Sequence, residues 1–246
     1  MTSFVTAAAE STPVKTTRST ACVLMLTMNE EKAVGGQIEE IHRHAGPDIP
    51  ILVVDSSSDR TAEVAQSLGA TVVRQFPPRG YGQAMLAGQR EAAKLADVII
   101  TMDCDMTYPA ERIPEFLAHI EKGFDCVSGS RMSGSNQGMP LLNRIGNRAF
   151  ALLVRLLFGF SIDDLTTGMR AYRSSVISDI EWVPLRFFPA EQALRLHQAG
   201  CRILEVPIEY RLRIGDVKMQ KVRDTIALVK AILHCWRTPV QRKSAS

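Results

Sequence analysis

"IPILVVDSSSDRTAEVAQSLGATVVRQF", residues 49–76, sets the architecture. Its apolar run predicts a strand over 49–54 ending at Asp55. The Asp and Ser cluster that follows suits a helix start, and the helix closes at Gly69. "TVVRQF" (71–76) is then a second strand. The same alternation extends outward on both sides. "ACVLMLTMNEE" (21–31) is a strand running into polar residues, and "EEKAVGGQIEEIHRHAG" (30–46) has helical spacing at Val34, Ile38 and Ile41. Downstream, "GYGQAMLAGQREAAKLA" (80–96) is a loop and helix and "DVIITMDCD" (97–105) a fourth strand. Continuous Val, Ile and Leu strands separated by helices indicate an α/β chain with a mostly parallel sheet covered on both faces. Ligands of such sheets lie beyond the carboxyl ends of the strands. Those ends carry Asn29 and Glu30, then Asp55, then Asp103 and Asp105.

The second half changes character. "IPEFLAHIEKG" (113–123) is a helix, "FDCVSGSRM" (124–132) a strand ending in Arg131, and "SGSNQGM" (133–139) a loop expected to be mobile. "PLLNRIGNRAFALLVRLLFGF" (140–160) is a long helix with Arg144, Arg148 and Arg155 among Leu, Ile and Phe, either buried or lying on a lipid surface. "SIDDLTTGMRAYR" (161–173) is a polar turn into a short element, and "FFPAEQALRLHQAG" (187–200) is a helix closed by Gly200. "CRILEVPIEYRLRIG" (201–215) is a strand entering a basic loop, and "DVKMQKVRDTIALVKAILHCW" (216–236) is a basic amphipathic helix.

A chain of 246 residues, 46% hydrophobic, can bury the core of a single domain. The net charge of +3 gives no reason to invoke nucleic acid, although positive residues crowd the stretch from Arg211 to Lys243. Five scattered cysteines without a C-x-x-C pair suggest neither a zinc ribbon nor a disulfide framework, so a cytoplasmic, reducing setting is expected. Residues 1–20 lack the apolar core of a signal peptide and read as a flexible tail, and residues 238–246 read as a C-terminal tail. No apolar run is long enough to span a bilayer.

Asp103 and Asp105, two apart on an extended strand, point the same way. Two carboxylates converging at a buried strand end repel unless they share a cation or proton. An all-oxygen pair favours Mg²⁺ or Mn²⁺, shared with substrate phosphates. The other reading keeps one aspartate as a cap for the "YPAERI" segment and the other solvated, and the spacing alone leaves both open. Cys104 faces the opposite side and reads as a small buried hydrophobe. The five histidines, His42, His44, His119, His197 and His234, read as structural or surface residues. Asp55 resembles the acid that holds a nucleotide ribose or base, yet no G-x-G-x-x-G follows the first strand and no P-loop lysine occurs, which disfavours a dehydrogenase or a P-loop protein.

Taken in order, "MNEE", "VVDSSSDRT", "GYGQAMLAG", "MDCD", "SGSRM", "DDLTTGMRAYR", "FPAEQALR" and "EVPIEYRLRIG" resemble the family 2 glycosyltransferases, and among them the dolichol-phosphate mannose synthase and polyprenyl-phosphate glycosyltransferase branch. The resemblance runs from about residue 22 to 235. It implies a single-domain glycosyltransferase A fold, an inverting mechanism, and a nucleotide-diphosphate sugar donor with Mg²⁺ or Mn²⁺. The catalytic domain would cover 21–237, with a nucleotide-binding half (21–110) and an acceptor half (111–237). Carried over by residue, Asn29, Glu30 and Asp55 would hold the nucleoside, Gly80 and Gly82 would lie by the donor, and Asp103 and Asp105 would carry the metal. Arg131, Arg170, Arg211, Arg213 and Lys218 would meet phosphates. Glu191 and Asp164 match acids near the transfer centre and acceptor. Thr107 stands where the family often has Gln.

The implied partners are a nucleotide-diphosphate sugar, with mannose or glucose as the sugar, and a polyprenyl phosphate at the cytoplasmic membrane face, reached peripherally or through a membrane partner protein. Two rivals are the same chemistry on a soluble hydroxyl acceptor, which needs a base such as Glu191 or Asp164, and a catalytically silent nucleotide-sugar-binding subunit.

Overall fold

The computed structural model describes residues 19–133, 139–215 and 221–241. The loop expected to be mobile lies mostly outside them, as do Lys218, nearly all of the N-terminal tail and the last residues of the C-terminal tail. In chain order the elements are β1 (Ser19–Thr27), α1 (Val34–Ala45), β2 (Ile51–Asp55), α2 (Thr61–Ser67), β3 (Thr71–Arg74), α3 (Tyr81–Leu95), β4 (Ala96–Asp103), α4 (Ile113–Glu121) after a 3₁₀ turn (Ala110–Arg112), β5 (Cys126–Ser130), α5 (Leu141–Phe158), β6 (Arg170–Arg173), α6 (Ser174–Asp179), α7 (Phe188–Gln198), β7 (Ile203–Pro207) and α8 (Lys221–Arg237).

Seven strands form one sheet in the order β3-β2-β1-β4-β6-β5-β7. All pairings are parallel except those of β6, which runs antiparallel to both β4 and β5. The apolar strands alternate between two buried layers. Val23 and Met25 of β1 and Ile51 and Val53 of β2 pack in one core with Val34, Ile38 and Ile41 of α1. Cys22, Leu24, Leu52 and Val54 pack in the other with Met85 and Leu86 of α3. Burial on both faces is why these strands read as continuous hydrophobic runs. A third core joins α5, α7 and α8 through Val154, Leu194, Leu228 and Ile232.

Gly69 and Gly200 both take positive φ just past helix ends, as their positions predict. The fourth strand is shorter than predicted, ending at Asp103, and the chain bends through Asp105 to Met106, whose φ is +65°. The two aspartates therefore do not continue one pleat. From β1 the chain steps outward to β2 and β3 and then returns to β4 on the other side of β1. This reversal between β1 and β4 is the topological switch point, where ligands of open α/β sheets bind.

Candidate active site

At the first three strand mouths, Asp55 acts as a knot. Fully buried, it accepts hydrogen bonds from the Thr27 hydroxyl (2.7 Å), the Ser57 hydroxyl (2.5 Å) and the Ser57 amide (3.2 Å), and pairs with Arg74 at the end of β3. Its two oxygens are engaged within the chain, and the group presented outward is the half-exposed Arg74. Asn29, at φ +58°, donates its amide to the Ser57 hydroxyl (2.8 Å) and accepts from the Ser58 amide (2.9 Å). The Glu30 amide donates to Thr61 (2.9 Å).

The fourth mouth carries the aspartates. Burial first, and then the neighbouring Asp105 carboxylate, push Asp103 up to about 7, against the opposing pull of Arg131 and Arg213. The 161–169 turn presses against Asp103: a Cβ on Gly168 would sit 2.8 Å from its Oδ2, so a larger residue there would displace the Asp103 carboxylate. That turn is fastened by the Gly168 amide donating to the Tyr108 hydroxyl (2.7 Å) and the Thr101 hydroxyl donating to the Gly168 carbonyl (3.1 Å). Asp105 is buried and accepts from the Thr107 amide (3.1 Å) and hydroxyl (2.5 Å). Its other oxygen pairs with Arg213 Nη1 at 3.0 Å, and Arg213 Nη2 reaches Glu30 at 3.3 Å. The loop after β7 is laid along the β4 mouth by the Arg211 amide donating to the Thr107 carbonyl and the Ile214 amide to the Asp105 carbonyl, both at 3.0 Å.

Arg131, at the end of β5, forms a two-pronged pair with buried Asp164: Nε to Oδ2 at 2.6 Å and Nη2 to Oδ1 at 2.8 Å. Asn147 of α5 donates to the same carboxylate (2.9 Å). Glu205 of β7 accepts the amides of Asp163 (2.7 Å) and Asp164 (3.0 Å). The Arg131 guanidinium lies 5.2 Å from the Tyr210 ring centre. Burial alone would raise the Asp164 carboxyl, but Arg131 outweighs it and holds the group below the usual carboxylate range.

Glu30, Asp103, Asp105, Arg131 and Arg213 are thus brought together, with Asp164 behind Arg131 and Asn29 next to Glu30 in the chain. Others carried over from the sequence are not. Arg170 is fully buried, its guanidinium donating to the Ser128 hydroxyl (3.1 Å) and the carbonyls of Leu165 (2.9 Å) and Pro189, so it acts as a core tie. Arg211 turns the other way, to Glu40 (2.7 Å) and Glu111 (2.6 Å). Glu191 is buried, with both oxygens on the amides of Val183 (2.7 Å) and Leu185 (3.1 Å). Gly82 packs its α-carbon against the backbone of Pro184 and Leu185, while Gly80, at φ +95°, opens α3 with free space around it. Arg74, Tyr108, Asn147, Glu205 and Tyr210 are site residues that the sequence did not single out. Arg74 had a usable signal, because it closes "TVVR" at a strand mouth.

The all-oxygen Asp103 and Asp105 pair fits a hard divalent cation. Burial and then the neighbouring Asp105 carboxylate raise Asp103 to about 7, a conflict of charge that such an ion would relieve. Among the described residues, ligand atoms of Glu40, His44 and Glu111 also lie within 4.8 Å of one another, but Arg211 already brings its cation there. Cys104 is buried in the core with Met102 and Tyr108.

The sequence model of the family described as "Glycosyl transferase family 2" matches residues 22–181. The chain belongs to this family. This glycosyltransferase is 44% identical over 214 residues to a dolichyl-phosphate hexose transferase of Haloferax volcanii, covering 86% of the chain and 91% of that protein. It is 31% identical over 191 residues to an undecaprenyl-phosphate mannosyltransferase of Micrococcus luteus, covering 72% of the chain and 78% of that protein. Among solved structures it is similar to glucosyl-3-phosphoglycerate synthase of Mycobacterium tuberculosis in complex with UDP, with a TM-score of 0.73 at 16% identity, covering 93% of this chain and 88% of that one. The same synthase has been solved with Mn²⁺ and UDP, with a TM-score of 0.71. At that identity the likeness establishes the fold, the glycosyltransferase A fold.

Proposed function

We propose that this glycosyltransferase moves a hexose, mannose or glucose, with inversion, from a nucleotide diphosphate to the phosphate of a polyprenyl phosphate. The observation that carries the choice of acceptor is the state of Glu191 and Asp164. Each is the kind of carboxylate that a hydroxyl acceptor would need as its base, and each is fully committed: Glu191 to two backbone amides, Asp164 to Arg131. A phosphate acceptor is already an anion at neutral pH and needs no proton removed. Its difficulty is approaching a second anion, and Arg131 and Arg213, both close enough to act on Asp103, supply the opposing charge. The names of the Haloferax and Micrococcus relatives support the same acceptor class.

Asp103 and Asp105 would hold Mg²⁺ or Mn²⁺, which when bound supplies positive charge to the leaving diphosphate. Thr107 orients Asp105, Asp164 fixes the Arg131 guanidinium, and Asn29, Glu30 and the Arg74 and Asp55 pair frame the place of the nucleoside.

The test offers GDP-mannose and UDP-glucose with either a short-chain prenyl phosphate or the matching prenol. Transfer to the phosphate and not to the alcohol is expected. Equal or faster transfer to the hydroxyl compound overturns the reading.

A further inference from the structure

Helix α5 has one face left exposed by the described residues. Its inner residues Phe150, Leu153, Val154 and Leu157 join the core shared with α7 and α8. Outward, Leu141, Leu142, Ile145, Leu152 and Leu156 stand exposed, Leu156 at 75% and Ile145 at 56%. On a helical projection of 100° per residue these five form one continuous stripe, and Arg144, Arg148 and Arg155 line up along a single edge of it. The helix contains no Asp or Glu. Its basic edge borders a cleft of about 340 Å³ lined by Arg148, Leu152, Arg155, Met132 and Asp163. Met132 and Asp163 adjoin Arg131 and Asp164 in sequence, so the cleft opens beside the acceptor end of the site.

We propose that this face of α5 docks onto an anionic lipid surface, with the leucines in the acyl boundary and the arginines at headgroup level. A contiguous exposed apolar stripe marks an interaction surface, and an apolar stripe with cations on its border is what an interfacial helix requires. A second copy of the chain is a poorer occupant, because two-fold pairing places identical patches together and brings the arginine rows near one another. Docking from the side would give this chain a route to a lipid-borne substrate; among the described residues, no helix is long and apolar enough to cross a membrane. The inference rests on the polyprenyl-phosphate reading for its purpose and not for its evidence.

Flotation with acceptor-free vesicles tests it. Binding to phosphatidylcholine vesicles doped with phosphatidylglycerol should exceed binding to phosphatidylcholine alone by several-fold per engaged arginine. Ile145→Glu with Leu156→Glu should lower binding about tenfold or more, and Leu141→Ser with Leu142→Ser, a milder pair, should lower it in the same direction. Thermal melts check that the variants fold. Absence of wild-type binding, retention of binding by both variants, or conversion of a wild-type dimer to a monomer by the glutamate pair overturns the proposal. Because the vesicles hold no prenyl phosphate, a protein that floats but fails to transfer defeats the reaction reading alone, and one that transfers to a water-soluble prenyl phosphate but never floats defeats the docking alone.

Discussion

Asp164 shows how a single carboxylate can be structural and functional at once. It is buried, and its charge is balanced by Arg131 and by donors from Asn147 and two backbone amides. Asp164→Asn leaves the buried guanidinium uncompensated and should cost on the order of 3 kcal/mol, read as a lowered urea midpoint. The pH dependence follows from the direction of the shift. Arg131 depresses the folded-state carboxyl below its unfolded value, so this stabilisation is complete above about pH 4 and drains away as pH falls through the folded value. The asparagine variant should lack that part of the acid limb in urea titrations across pH. Thr107 carries a second prediction. Its hydroxyl fixes Asp105, so Thr107→Val should raise the Mn²⁺ or Mg²⁺ concentration needed for half-maximal turnover about tenfold or more while changing stability little. At this scale legibility was uneven. Asp103 and Asp105 were visible because a strand mouth at a switch point gives an acid a meaning. Arg170 was not, because its partners are the carbonyls of Leu165 and Pro189, and no sequence pattern marks an arginine as bound to distant backbone.

Helices and strands were easier to read than their directions and joints. Alternating apolar runs located β1 to β4 and the helices between them, since burial on two faces leaves a continuous signal. The antiparallel entry of β6 was not foreseeable, because four residues following a tight polar turn carry no mark of direction. The six-residue α6 is likewise too short for helical periodicity to show. The joint between α3 and α7 was equally hidden. Glu191, in the first turn of α7, holds the amides of Val183 and Leu185, and the same stretch of backbone lies against Gly82 at the start of α3. Glu191 is therefore a positioning residue for the helix whose N-terminus flanks the cleft. Glu191→Gln turns an NH₂ toward a backbone donor and should cost about 1–3 kcal/mol. Turnover with a prenyl phosphate, corrected for the folded fraction, should stay within a few-fold of wild type. A loss of several orders of magnitude in the folded enzyme would identify Glu191 as a base and favour a hydroxyl acceptor.

For the molecule as a whole, the question is how the second half of the chain is brought onto the first. The loop after β7 does this with two arginines that the sequence presents as equivalent. Arg211 grips Glu40 on α1 and Glu111 before α4, away from the aspartates, and Arg213 bridges Glu30 and Asp105 within the candidate site. Side chains two apart on an extended segment point to the same side, but here the two guanidinium groups reach different acids. The two should part in experiment. Arg211→Ala removes partly exposed ion pairs and should cost about 1 kcal/mol after allowance for solvent screening, seen as a lower Tm with the donor KM unchanged. Arg213→Ala should lower kcat of the folded enzyme by about 10²-fold, the scale of losing one charge aimed at a developing anion, and should lower Tm as well, because it removes the cation that pairs with buried Asp105 and Glu30. It should also shift the metal dependence, because Asp105 loses the cation now paired with it. If both substitutions acted on Tm alone, the basic loop would be only a clasp between halves, and the charge facing the diphosphate would have to come from Arg131.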